Sequence, residues 1–358
     1  MHRSISSLVS GLVFLIFSTT LIPLIASADI PRTASGNPDL TGTYDVATLT
    51  PLERPEEYGN KAYLSKAEAD AIRTKRATDS AAANAASEPD RTAPPPGGDG
   101  SPGAAGNVGG YNAFWLDFGD EQATLDGKFP TSIITQPANG RQPSRTVAGM
   151  ARMAAFRLLF KENTGSAWWL GEEGPGPYDN MEMRPNAERC LLSFGSTSGP
   201  PMLPSGYNNL KRIVQTDTHV MILAEMIHDA RVIRLNGEHH PGEVRAWMGD
   251  SVGHWEGDTL VVDTTNFGAK PALGGASPEL HVIERFTMTE SGDLKYGFTV
   301  DDPQAWEERW SGEYPWPSTS DKLYEYACHE GNYALGNIMR GARILERDVE
   351  RSGSASGD

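Results

Sequence analysis

The chain has 358 residues, 38% of them hydrophobic, and 47 acidic against 31 basic side chains give a formal net charge of −16 at pH 7. That acidity opposes binding to phosphate backbones and anionic lipid surfaces, and no Lys/Arg cluster offsets it, so no nucleic-acid partner is expected. Only the N-terminus holds a long apolar segment, so no stable membrane insertion is expected once that segment is removed.

Residues 1–28 read as a secretory signal peptide. A basic start at Arg3 precedes an apolar run from Leu8 to Ile25, and Ala26-Ser27-Ala28 forms a small-x-small cleavage signal before Asp29. Ser18, Thr19, Thr20 and Pro23 interrupt the run, which fits a retained anchor less well. A periplasmic or secreted location follows, and it permits Cys190 and Cys328 to pair. On the chain-entropy model such a long loop closure stabilises by roughly 4–5 kcal/mol. A buried free thiol and a thiolate nucleophile are the rival readings.

Residues 29–79 form an N-terminal arm with one helix, expected to pack on the main domain. Gly42–Leu49 is strand-like, and "SKAE" makes a capping box of Ser65 and Glu68 that starts a helix running to about Thr78. Alanine, proline, glycine and small polar residues fill 80–110, which reads as a flexible low-complexity linker. The main domain is expected over 111–345, with a disordered tail at 346–358. It opens with "YNAFWLDFG", a strand at Thr131–Thr135 and a helical stretch over Arg145–Lys161.

From Tyr207 onward strands dominate. They are expected at 210–216, 219–226, 231–235 and 245–249, in a hairpin at 253–267 turning at Glu256-Gly257-Asp258, in a second at 280–300 turning at Ser291-Gly292-Asp293, and at 305–314 and 322–328. Short connections between about nine such segments argue for antiparallel neighbours, because parallel pairs need crossovers of about a dozen residues or more. The expected fold is therefore an antiparallel up-and-down β-barrel of calycin or lipocalin type with a few peripheral helices; the alternative is a jelly-roll β-sandwich.

Alternation along the strands places carboxylates among apolar neighbours. Glu284 shares a face with Val282 and Phe286, Asp263 with Val261 and Thr265, and Glu225 with Met221 and Leu223. Such carboxylates need either a partner, with Arg231 and Arg285 as candidates, or a wet cavity inside the barrel.

Two stretches concentrate titratable groups. "EMIHDAR" holds Glu225, His228, Asp229 and Arg231, and "YEYACHEGNY" holds Tyr326, Cys328, His329, Glu330 and Tyr333. A histidine oriented by a carboxylate transfers protons near neutral pH. The same groups could ligate a divalent metal, but Glu-x-x-His on a strand points opposite ways, so no metal and no organic cofactor is predicted. The plainer reading makes both stretches turns whose side chains satisfy backbone groups. His239 and His240 lie in "NGEHHPGE" and read most simply as a solvated loop tip. No nucleophile elbow, P-loop, dinucleotide fingerprint, H-E-x-x-H or C-x-x-C occurs. Trp168, Trp169, Trp306, Trp310 and Trp316 suit either a core or a sugar-binding strip.

The strings "LTGTYDVATLTPLERP", "EMIHDARVIRLNG", "WMGDSVGHWEGDTLVVDTTNF", "LHVIERFT" and "YEYACHEGNYALGNIMRGAR" resemble a large family of exported bacterial proteins. The family has no established general activity and lends no mechanism, but the resemblance implies one domain built from both the arm and the β-region. The expectation is an exported enzyme acting on a small organic molecule in a β-barrel cavity, a hydrolase, lyase or isomerase. His228 or His329 would be the base, with Asp229, Glu330 or Glu225 beside it. Arg231 and Arg285 would hold substrate oxygens, and Tyr207, Asn208, Trp255, Asp263, Glu284, Tyr326 and Tyr333 would line the pocket. The alternatives are a lipocalin-like binding protein without catalysis, or a carbohydrate-binding or envelope-interaction module.

Overall fold

The structure is a computed structural model that describes residues 30–86, 90–92, 99–101, 103, 106, 113–161 and 165–355. The expected signal peptide and much of the expected linker lie outside those residues.

Among the described residues twelve strands and three α-helices follow one another. They are β1 (Gly42–Asp45), β2 (Tyr63–Leu64), α1 (Lys66–Ala83), β3 (Phe129–Pro130), β4 (Ile134–Gln136), α2 (Val147–Leu158), β5 (Leu210–Gln215), β6 (His219–Ala224), β7 (Ala230–Leu235), β8 (Asp250–Glu256), β9 (Thr259–Thr265), β10 (His281–Met288), β11 (Leu294–Asp301), β12 (Trp310–Trp316) and α3 (Tyr333–Ala355). Ten of the strands make one curled sheet, a half-barrel, in the order β1-β5-β6-β7-β8-β9-β10-β11-β12-β4. At its edge β1 meets the chain just beyond β12: the Asp45 amide donates to the Pro317 carbonyl at 2.9 Å and the Thr319 amide to the Thr43 carbonyl at 2.9 Å.

The sheet is mainly β as expected, but it is mixed. Strands β7 and β8 run parallel, with Ile233 opposite Ser251. The residues between them, 236–249, are long enough for a crossover, which removes the objection to a parallel pair. The expected strand at 245–249 is part of that crossover and leaves only a bridge from Ala246 to Phe267. Residues 322–328 form no strand.

The two hairpins turn where their Gly-Asp pairs predict, and the capping box is formed: Ser65 Oγ accepts from the Glu68 amide while Glu68 accepts from the Ser65 amide. Helix α1 runs on to Ala83, past the expected start of the linker. Helix α3 runs to Ala355, through residues expected to be a disordered tail. Ile338, Ala342 and Leu345, spaced i, i+4, i+7, place one apolar stripe against Trp168, Trp169 and Tyr178. Glu346 then accepts from Trp169 Nε1 at 2.7 Å.

The concave face of the sheet is packed with rings. Tyr296 and Trp316 lie 4.7 Å apart between centroids, Phe286 and Tyr296 5.1 Å, and Phe298 and Trp310 5.7 Å. The ligand cavity expected inside the sheet is where these rings stack. Trp306, Trp310 and Trp316 are at most 1% exposed, so they are core and not an outer sugar-binding strip. Residues 196–203 fill the remaining interior as a buried segment. A buried loop must satisfy its own backbone. Here the Met202 amide donates to the Tyr296 hydroxyl at 2.8 Å and the Tyr314 hydroxyl donates to the Met202 carbonyl at 2.7 Å.

Cys190 and Cys328 are joined, across a sequence separation of 138. The bridge ties the chain just before the buried segment 196–203 to the chain entering α3. Replacing both cysteines by serine is expected to lower stability by about 2–4 kcal/mol in urea denaturation. Two free thiols in the oxidised native protein would refute the pairing.

Candidate proton-transfer site on the outer face of the sheet

Residues two apart on a strand share a face. In the β8–β9 hairpin Asp250 pairs with Thr265 and Val252 with Asp263; across β9–β10, Asp263 pairs with Ile283. Asp250, Asp263 and His281 therefore lie on one face, diagonally adjacent. It is the outer face, because Val262, Thr264, Val282 and Glu284 point inward and are buried. Arg234 reaches the same place from the end of β7.

The crossover completes the group. Gly249 sets the start of β8 at a φ of 74°, and a Cβ there would stand 2.7 Å from both Thr264 Cγ2 and the Thr265 carbonyl, so glycine is required. The preceding loop lays His239 between the two aspartates. His239 Nδ1 meets Asp250 Oδ2 at 3.1 Å and its Nε2 meets Asp263 Oδ1 at 2.9 Å. The second oxygen of Asp263 takes His281 Nε2 at 2.9 Å. Arg234 donates to both oxygens of Asp250 at 2.7 and 3.1 Å, and the His240 amide adds a bond at 2.9 Å. One chain of hydrogen bonds thus runs Arg234–Asp250–His239–Asp263–His281.

The electrostatics follow from the contacts. Burial alone would raise the Asp250 carboxyl, but Arg234, the His240 amide and His239 outweigh it and hold it well below the usual carboxylate range. Burial likewise pushes Asp263 up, and His281 and then His239 bring it below its ordinary value. The hydrogen bond His281 donates to Asp263 raises it above the usual imidazole value despite partial burial, and Asp301 adds to the rise while Arg309 opposes it. His239 has a carboxylate oxygen within hydrogen-bond distance of each ring nitrogen. His281 donates once to Asp263, and its Nδ1 has no hydrogen-bond partner among the described residues. Its side chain is 34% exposed. An imidazole oriented through one nitrogen and open at the other is the geometry of a group that gives or takes a proton.

Among the candidates read from the sequence, only Asp263 belongs to this chain. Glu284 lies on the opposite face, 0% exposed, between Arg231 Nη1 at 2.6 Å and the Tyr296 hydroxyl at 2.8 Å. It is the plain internal ion pair, and Asp263 and Glu284 share no pocket. Arg285 points outward and binds Glu256 at 2.9 Å, so it does not converge with Arg231. Trp255 packs half-buried against the core.

"EMIHDAR" and "YEYAC" do meet, but through backbone. His228 Nδ1 contacts the Tyr326 carbonyl at 3.0 Å, and Glu225 Oε1 accepts from the Tyr324 amide at 2.9 Å. His228 takes a positive φ of 49°, as does Ile227 at 62°, in the bend they form. His329 and Glu330 stand exposed on the turn beyond the disulfide, and Tyr333 is 79% exposed. Burial raises Asp229 above its ordinary value, and Ser198, His228 and Lys211 oppose the rise. Burial, with Tyr207 beside it, pushes Tyr326 up to about 12. Asn208 and Tyr326 line a cavity of about 490 Å³ beside the disulfide.

From the sequence His239 reads as a solvated loop tip, and Arg234, Asp250 and His281 carry no assigned role; the structure instead sets His239 between Asp250 and Asp263. The hairpin register set by Gly257 already places Asp250 diagonal to Asp263, and that signal could have found half of the chain. Among the described residues no group of three or more His, Cys, Asp or Glu is arranged to hold a metal ion. No family model, curated protein or solved structure matches this chain.

Proposed function

We propose that the protein is an exported acid–base enzyme that acts on a small polar molecule at the outer face of the sheet. The observation that carries the reading is the hydrogen-bond chain ending on the open Nδ1 of His281. His281 transfers the proton. Asp263 is a positioning residue that fixes its tautomer and raises its basicity, while His239, Asp250 and Arg234 hold Asp263 in turn. Proton transfer of this kind serves hydrolysis, elimination and isomerisation alike. Export to the periplasm or beyond the cell is supported by the Ala26-Ser27-Ala28 signal and by the disulfide. Likeness to the exported bacterial family supports the same location, and the contact of β1 with residues 317–319 supports a calycin-like closure of the half-barrel.

The test is turnover of chromogenic esters, phosphate esters and glycosides by the purified protein. His281→Gln is expected to lower turnover by about 100-fold or more, the usual contribution of general acid–base catalysis, with the fold intact by circular dichroism. Asp263→Asn is expected to move the pH–rate limb assigned to His281 to lower pH, because the carboxylate that raises it is gone. Absence of turnover across the panel, or turnover indifferent to His281→Gln, rejects the reading.

A further inference from the structure

Helix α2 turns an apolar side outward. Its sequence VAGMARMAAFRL holds no acid and two basic residues, and one of these, Arg152, donates to the Gly275 and Gln304 carbonyls. Gly149 presses the helix onto the chain beneath it: a Cβ there would stand 2.3 Å from the Ala305 carbonyl oxygen. At about 3.6 residues per turn, Val147, Ala151, Ala154 and Leu158 form one stripe on the side away from Gly149, with Met150 and Ala155 at its edges. All six are exposed, Val147 at 80%, Met150 at 53% and Leu158 at 52%. A surface helix ordinarily shows its polar face to water, and a contiguous exposed apolar face marks an interaction site. No residue of the Arg234–His281 chain belongs to α2, so this face is independent of the acid–base reading.

The stripe is self-complementary. Its members stand four, three and four residues apart, a spacing that reads the same in both directions. If two such helices pack antiparallel about a two-fold axis, Val147 meets Leu158 of the partner subunit and Ala151 meets Ala154 of the partner subunit. The larger side chains then close both ends, and the alanines let the backbones approach in the middle. A two-fold contact needs self-complementarity of this kind, and alternating four- and three-residue steps are those of packed helix pairs.

The charges at the two ends select the antiparallel sense. The C-terminal end is basic, with Arg157 and Lys161 both exposed. The N-terminal end rests on the segment that carries Glu307 and Glu308. There the Glu307 amide donates to the Ser144 carbonyl at 3.0 Å and the Thr146 amide to the Ala305 carbonyl at 3.1 Å. Both glutamates are exposed, and neither has an ion pair among the described residues. Antiparallel packing sets the basic end of one helix by the acidic end of the other, whereas parallel packing sets like charges together. An anionic lipid surface would attract one end and repel the other.

We propose that the outer face of α2 is the contact of a two-fold dimer of this chain, with the two helices antiparallel and Ala151 against Ala154 of the partner subunit. A face about 18 Å long and one helix wide lies at the small end of protein interfaces, so the dimer is a weak one that exchanges with monomer.

The experiment is sedimentation equilibrium of the purified protein over a concentration series. A monomer–dimer equilibrium is expected, with a Kd on the order of 10–100 μM. Ala151→Glu, at a position exposed in the monomer, is expected to weaken association by about 100-fold or more with circular dichroism unchanged, because the contact would bury an unpaired carboxylate. Ala154→Lys should do the same. Mixed in equal amounts, the two variants should associate with each other, since the new carboxylate of one meets the new ammonium of the other in the antiparallel register. A monomer at every concentration overturns the proposal, and so does a dimer that Ala151→Glu leaves intact. Folded variants that fail to associate when mixed overturn it too. Flotation of monomeric protein with phosphatidylcholine–phosphatidylglycerol vesicles, abolished by Ala151→Glu, would give the face to lipid instead. The concentration series needs no variant, so it can reject the dimer even if a variant fails to fold.

Discussion

Replacing Lys211 by methionine is expected to stabilise the protein by about 3 kcal/mol at pH 7 and to flatten its stability between pH 7 and 10. Lys211 is 0% exposed on the concave face of the sheet, and its Nζ bonds Thr197 Oγ1 at 3.2 Å. Burial, only partly opposed by Glu225, Asp45 and Asp229, brings its pKa down from 10.5 to about 7. The direction of the linkage follows from proton counts. Between those two values the unfolded chain holds a proton that the folded chain lacks, so stability rises with pH across that window. Below the lower value both states hold the proton and the full cost of the buried ammonium remains. Each unit of separation is worth about 1.4 kcal/mol. Losing the Thr197 bond takes part of that back, leaving about 3 kcal/mol for the variant. Urea denaturation at pH 7 and 9.5 measures both quantities. A less stable methionine variant, or one that keeps the wild-type slope with pH, would sink the account.

How far residues speak from sequence depends on the range of the contact that gives them meaning. Ser65 with Glu68, and the Gly-Asp turns at Gly257 and Gly292, act over a few residues, and the helix start and both hairpins were legible there. The Cys190–Cys328 pair was legible because the chain has only two cysteines and an N-terminus that reads as an export signal. Asp263 and Glu284 show the opposite case. Each sits on a strand with apolar neighbours on both faces, and the crossover 236–249 lays His239 over part of the outer surface. Alternation therefore could not say which of the two looked inward. Asp250, Asp263 and His281 meet through antiparallel register, but His239 and Arg234 join them only through the parallel β7–β8 pairing and its crossover, which hairpin logic does not contain. His228 and His329 stood out because carboxylates were their neighbours in sequence, whereas the register of the strands makes neighbours of residues that are not. The helix α3 was hidden by its charged end, whose Arg343 and Glu346 bond to the Trp169–Tyr178 layer instead of to water.

Removing one side of the Arg231–Glu284 pair should cost far more than removing both. Arg231→Met is expected to lower stability by about 3–5 kcal/mol, the usual result of stranding one charge of a buried pair. Glu284 would keep the Tyr296 hydroxyl as its donor and lose the only cation that touches it among the described residues. The pair is 3% and 0% exposed, so solvent offers the stranded carboxylate little help. Nor is the native pair at its best: Arg231 Nε and Nη2 are buried without hydrogen bonds. Desolvation of the guanidinium is therefore only partly offset by its single contact at 2.6 Å. In the double variant Arg231→Met with Glu284→Gln, the amide oxygen still accepts from Tyr296 and no charge is left behind. That variant is expected to regain more than half of the loss, and a double-mutant cycle from urea denaturation measures the coupling. The single variant carries its own pH signature. A lone buried carboxylate neutralises by taking up a proton, so Arg231→Met should be less destabilised at pH 5 than at pH 8, while the double variant shows no such difference. Equal losses in the single and double variants at both pH values would mean that packing, and not charge, ties Arg231 to the core.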